Sequence, residues 1–150
     1  MHYNKNLCHE VQIHYKRPVF DQLQKISSAD DSYQLLKQTI DLNRIDHKEF
    51  FWVILLTNAN HVLGISEIGV GSSKGVVVHI KEVYQLALLM NASSIIVAHN
   101  HPSGKLLPSV EDRAMTQKLK NASKYLDITL LDHLIITSEG FVSFADSNWM

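Results

Sequence analysis

The sequence predicts an α+β fold in which a mixed β-sheet is flanked by helices. Three observations predict it. Segments with strand patterning outnumber those with helical patterning. The helical segments are interspersed among the strands rather than gathered at one end. Two runs, "FFWVILLT" (50–57) and "SIIVA" (94–98), are apolar on both faces, so a sheet that contains them must be covered on both sides.

The elements follow in order. "EVQIHYKRP" (10–18) alternates apolar and polar residues and stops at a proline, the pattern of a short edge strand that could pair with a second copy to form a homodimer. "SSADDSYQLLKQTIDL" (27–42) opens on serines and early acids and repeats Leu36 and Ile40 at helical spacing. "FFWVILLT" is the central strand. The polar break "NANH" (58–61) turns it into "VLGISEIGV" (62–70) as a hairpin. "SSKG" (72–75) is a further turn, and "VVVHI" (76–80) reads as a short strand. "KEVYQLALLMN" (81–91) aligns Val83, Leu86, Ala87 and Met90 on one helical face. After "SIIVA" comes "SVEDRAMTQKLKNASKYL" (109–126), with Met115, Leu119, Ala122 and Leu126 on one stripe. "ITLLDHLII" (128–136), the turn "TSEG" and "FVSFAD" (141–146) close the chain as a hairpin.

Bulk properties exclude several classes. The chain has 150 residues, 45% of them hydrophobic and 19% charged, as in an ordinary globular domain. The longest apolar run, "FFWVILL", is far short of a membrane span. The start "MHYNKN" lacks the apolar middle of a secretory signal, and a single cysteine, Cys8, suits a reducing cytoplasm. A net charge of −1 with no basic run gives no nucleic-acid footprint. The unusual count is nine histidines, so their spacing has to carry the argument.

That spacing is informative at "AHNHPSGKLLPSVED" (98–112). Side chains two apart on extended backbone point the same way, so His99 and His101 face one side at the end of a buried strand. Pro102 keeps His101 extended. Two neutral imidazoles and one carboxylate can hold zinc with a coordination position left open. Asp112 fits as the carboxylate: Pro108 and Ser109 set a helix start, Ser109-x-x-Asp112 puts the acid in its first turn, and Gly104 lets the loop bend back. The same Ser-x-x-Asp is also what a plain capping box looks like. The two readings are compatible, because a carboxylate has two oxygens. A deaminase site would need a Pro-Cys-x-x-Cys partner, which is absent.

His99-x-His101, seven residues, then Ser109-x-x-Asp112 is similar to the JAMM signature of the JAB/MPN metalloprotease superfamily. With "IIVAHNHPSG", "LLDHLII" and "FVSFAD", the chain resembles the RadC branch of that superfamily over residues 47–150. On that reading residues 1–150 form a single domain, with 1–46 a strand-helix extension. The resemblance implies a mixed αβ sandwich of the cytidine deaminase-like kind. It implies a zinc ion on His99, His101 and Asp112 with water as fourth ligand, Ser109 at the oxyanion-stabilising position, and an upstream glutamate as general base. Glu49, opening "EFFWVILLT", fits the base, with Glu67 in "VLGISEIGV" as the alternative. The implied activity is zinc-dependent amide or isopeptide hydrolysis by a metallopeptidase on an unidentified peptide or protein conjugate. The alternative is a DNA-repair-associated accessory protein that keeps the metal for stability. The helix-hairpin-helix module of full-length relatives has no counterpart here, since no glycine precedes Gly64. Asp132 and His133 are adjacent on a strand, so only one can face the metal. That one could support a ligand, or the two could be a buried polar pair. His61 and His79 read as structural or surface residues.

Overall fold

A computed structural model describes residues 11–72 and 75–150. Its centre is a five-stranded mixed sheet of β1 (Phe50–Leu56), β2 (Val62–Val70), β3 (Ser94–Asn100), β4 (Thr129–Ile136) and β5 (Phe141–Ser143), in the order β2-β1-β3-β4-β5. β1 pairs antiparallel with both β2 and β3, β3 and β4 run parallel, and β4 and β5 form an antiparallel hairpin. The helices are α1 (Ala29–Thr39), α2 (Ile80–Leu89) and α3 (Val110–Leu126).

β1 and β3 are buried along their whole length, in keeping with the apolar runs at their centres. Alternation sends their side chains into two separate cores. Phe51, Val53, Leu55, Ile95 and Val97 pack with α2 and α3 through Val83, Ala87 and Leu119. Phe50, Trp52, Ile54, Ile96 and Ala98 pack on the other face with Leu36 of α1 and with Ile45. Burying each of the larger of these side chains contributes about 1.5–3 kcal/mol. The Tyr84 hydroxyl of α2 donates to the Leu119 carbonyl of α3 at 2.6 Å, tying the two helices of one layer together. α3 joins the parallel strands β3 and β4. Its N-terminus therefore lies near the end of β3, on the α2/α3 side.

Two expectations are corrected. Residues 11–18 form no strand, and Val11 and Ile13 are exposed; Cys8 and Glu10 lie outside the described residues. Residues 76–79 form no strand, and His79 precedes the first residue of α2. Alternation in these two stretches describes side chains, whereas a strand also needs a backbone partner, and neither finds one among the described residues. In β2, bulges opposite Phe51/Trp52 and Leu55/Leu56 break the alternation, so Leu63 joins the α2/α3 core while Ile65 faces the α1 side.

Candidate metal centre

β3 carries its strand conformation through His99 and Asn100, past the last apolar residue of "SIIVA". His99 pairs with Phe51 of β1 and Ile135 of β4, and faces the α2/α3 layer. His101 is held in line with β3 because its N–H donates to the Ile136 carbonyl at 3.0 Å. The chain then turns. Gly104 donates its N–H to the His101 carbonyl at 3.0 Å and adopts φ +80°, a conformation glycine takes without strain.

Hydrogen bonds fix which nitrogen of each imidazole faces the site. The Thr116 hydroxyl donates to the Asp112 carbonyl at 2.8 Å. Its one hydrogen is thereby committed, so it accepts the Nδ1–H of His133 at 2.7 Å. The Nε2 of His133 then accepts the Nδ1–H of His99 at 2.7 Å. That leaves the His99 Nε2 with a lone pair. His101 donates its Nδ1–H to the Lys105 carbonyl at 2.7 Å, which leaves its Nε2 unprotonated as well. His133 is fully buried, stacked on Phe144 at 4.5 Å, and burial pushes its pKa well below the histidine range.

Asp112 arrives from α3. Ser109 caps that helix: its Oγ accepts the Asp112 N–H at 3.0 Å, and its own N–H donates to Asp112 Oδ2 at 2.7 Å. The carboxylate also faces the histidines. Oδ1 lies 3.1 Å from His99 Nε2, Oδ2 lies 3.2 Å from His101 Nε2, and the two Nε2 atoms are 3.0 Å apart. Four-coordinate ligands about 2.0–2.1 Å from an ion stand about 3.3 Å from one another, so this spacing suits one metal ion at their centre. The donor set agrees. Lone pairs and carboxylate oxygens at these distances repel unless a proton or a metal cation lies among them. Burial by itself would raise the Asp112 pKa. The adjoining His101 and His99 imidazoles outweigh it and hold the carboxyl far below the usual range, ionised as a ligand must be. His101 is shifted upward, first by the Asp112 carboxylate beside it, which favours its protonated form, against the opposing effect of burial.

Glu49 stands just before β1, with Oε1 4.0 Å from His99 Nε2. Together with His99, His101 and Asp112 it forms a group of donor atoms that lie within 4.8 Å of one another and could hold a metal ion. Burial raises its pKa, while the charges of His99 and His101 pull it down. Glu49, His101 and Asp112 line a cleft of about 580 Å³ together with Val77, Lys105, Leu107 and Ser109.

The other predicted residues fall elsewhere. Glu67 is not brought to the site. It lies opposite Trp52 on the α1 face and forms an ion pair with Arg44 at 3.2 Å. Of the strand pair, His133 supports His99. Asp132 turns away, accepting from Ser143 Oγ at 2.6 Å and the Ala145 N–H at 3.0 Å. His61 packs against Phe20, with ring centroids 4.8 Å apart and the rings tilted. Thr116 and Asn100 escaped the sequence reading. Thr116 could have been found as the residue one helical turn after Asp112.

A family model described as the RadC-like JAB domain matches residues 26–149. The chain belongs to this family. The match opens ahead of α1, so the RadC-like region reaches further toward the N-terminus than the motifs show. A "UPF0758 protein" of Flavobacterium johnsoniae is 40% identical over 124 residues, covering 83% of this chain and 53% of the relative. One from Xylella fastidiosa is 38% identical over 128 residues (85% and 57%), and one from Thermotoga maritima 37% over 123 residues (82% and 54%). This RadC-like chain thus spans a little over half the length of these relatives. No helix among the described residues is long and apolar enough to cross a membrane.

Proposed function

We propose that this RadC-like chain is a zinc-dependent hydrolase of the JAMM type that cleaves amide or isopeptide bonds in polypeptide substrates. One observation carries the reading. Two imidazole nitrogens and a carboxylate converge at 3.0–3.2 Å beside a second, half-buried carboxylate on a cleft floor. His99, His101 and Asp112 would hold the metal. A bound zinc ion lowers the pKa of a coordinated water to about 7 and polarises a carbonyl oxygen.

The remaining work belongs to the chain's own side chains. Glu49 stands beside the other three donors, 4.0 Å from His99 Nε2, and burial raises its pKa, which makes it a better proton acceptor. It takes the proton of the attacking water as the C–O bond forms. It then delivers that proton to the leaving nitrogen as the C–N bond breaks. Ser109 uses its Oγ lone pair in the helix cap, which leaves its hydroxyl hydrogen to stabilise the oxyanion from the cleft wall. His133 and Thr116 keep the His99 lone pair aimed at the site.

The test has two stages. Purified protein should carry about one zinc per chain, and replacing both His99 and His101 by Ala should remove it. Zinc-loaded protein should hydrolyse members of a peptide and isopeptide library, with turnover abolished by Glu49→Gln but metal retained. Unchanged metal content in the double variant, or full turnover by Glu49→Gln, would refute the assignment.

A further inference from the structure

The middle residue of "HNH" faces away from the site, yet it bears on the site's geometry. Asn100 is fully buried and, by alternation, projects to the α1 side of the sheet while His99 projects to the other. Its Oδ1 accepts the Phe50 N–H at 2.7 Å. Its Nδ2 donates to the Ile45 carbonyl at 2.6 Å and to the Lys48 carbonyl at 2.7 Å. The last backbone pair between β1 and β3 is Phe51 with His99, so this carboxamide acts as one rung more.

Two of those bonds bracket a single residue. The Lys48 carbonyl belongs to the peptide unit before the Glu49 Cα, and the Phe50 N–H to the unit after it. Pinning both fixes the two backbone torsions of Glu49. From β2 and beyond, Ser72 accepts the Glu49 N–H at 3.2 Å and Gly71 donates to the Glu49 carbonyl at 2.7 Å. A Cβ on Gly71 would run into the Gly75 carbonyl, so this side of the clamp tolerates no larger residue. Every polar backbone group around Glu49 is held, and half of the grip comes from the strand that carries the histidines.

We infer that Asn100 is the positioning residue for Glu49: its carboxamide sets where that carboxylate stands relative to His99 and His101. The inference rests on the proposed role of Glu49 as the group beside the metal. Only a carboxamide of this length offers two hydrogens to carbonyls and one oxygen to an N–H. Asp in its place would set a carboxylate oxygen against the Ile45 and Lys48 carbonyls, with shape unchanged and those two bonds lost.

Cobalt(II), loaded into the full chain, gives a visible band that responds to the groups around the ion. Wild type, Glu49→Gln, Asn100→Asp, Asn100→Ala and the Glu49→Gln/Asn100→Ala double variant should be compared. All should take up cobalt. The Asn100 variants should displace the band in the direction that Glu49→Gln does, and the double variant should go no further than Glu49→Gln alone. Wild-type bands in the Asn100 variants, beside a displaced Glu49→Gln band, would overturn the inference; so would additive displacement. Wild type that takes up no cobalt defeats the proposed function and the inference with it. If the Asn100 variants do not fold, amide exchange in the unmodified protein decides. The Phe50 N–H should exchange as slowly as the β1–β3 ladder, and exchange at loop rates would overturn the inference.

Discussion

α1 and α3 begin with the same device. Ser28-x-x-Asp31 and Ser109-x-x-Asp112 are both complete capping boxes, each with the serine oxygen taking the aspartate N–H and the aspartate taking the serine N–H. In α1 the device ends there: Asp31 Oδ2 accepts from Ser27 and Ser28 at 2.7 and 3.0 Å. In α3 the same carboxylate also stands 3.1 and 3.2 Å from two imidazoles. The motif is thus a helix start in both places and part of the candidate metal centre in one. The difference lies in what the fold sets opposite the helix end. α3 leaves from β3 and lies over the sheet face that bears His99, whereas α1 packs on the opposite face.

The contrast can be broken most directly at the two aspartates. Asp112→Ala should lower metal affinity by more than the roughly 10- to 100-fold that a supporting residue costs. Asp31→Ala should leave it unchanged. Competition with a chromophoric chelator measures both, and equal losses would erase the distinction.

A smaller effect should separate the two faces by pH. His133, beneath the α3 site, is neutral in the fold because burial depresses its pKa, whereas in the unfolded chain it takes up a proton near pH ~6.5. Its contribution is therefore complete above about pH 6.5 and lost as pH falls below that value, with a slope of up to about 1.4 kcal/mol per pH unit. Urea unfolding of metal-free protein between about pH 5 and 8 should show the slope. His133→Gln should flatten it, and an unaltered slope would place the effect elsewhere.

The caps themselves should behave alike. Ser28→Ala and Ser109→Ala should each cost about 0.5–2 kcal/mol in thermal or urea unfolding. Only Ser109→Ala should also slow hydrolysis, and equal rates would reduce Ser109 to its cap.

The smallest change is expected at Glu67, on the α1 face. Its exposed pair with Arg44 should contribute less than about 1 kcal/mol, and Glu67→Gln should leave metal content and turnover intact. Lost turnover in that variant would reopen the choice of base.

Much of this was legible in the residues. β1 and β3 announce themselves because strands covered on both faces carry no polar alternation to disguise them. α1 and α3 announce themselves through their caps. Residues 76–80 misled because β-branched runs look alike whether or not a neighbouring strand pairs with them. Glu67 misled because bulges shift side chains between faces without leaving a mark in the sequence.

The sequence by itself determined the chemistry available: which residues could donate a lone pair, which strand had to be buried, and which helix had to start at Ser109. Only the tertiary structure decided which donors meet. It made Asp112 a neighbour of His99 and His101 while leaving Asp31 a cap, and it made Asn100 a brace for Glu49 across 51 residues of chain. The reason is physical. Propensity, capping and alternation act over a few residues, whereas convergence on one point depends on strand order and register, which the packing of the whole sheet selects.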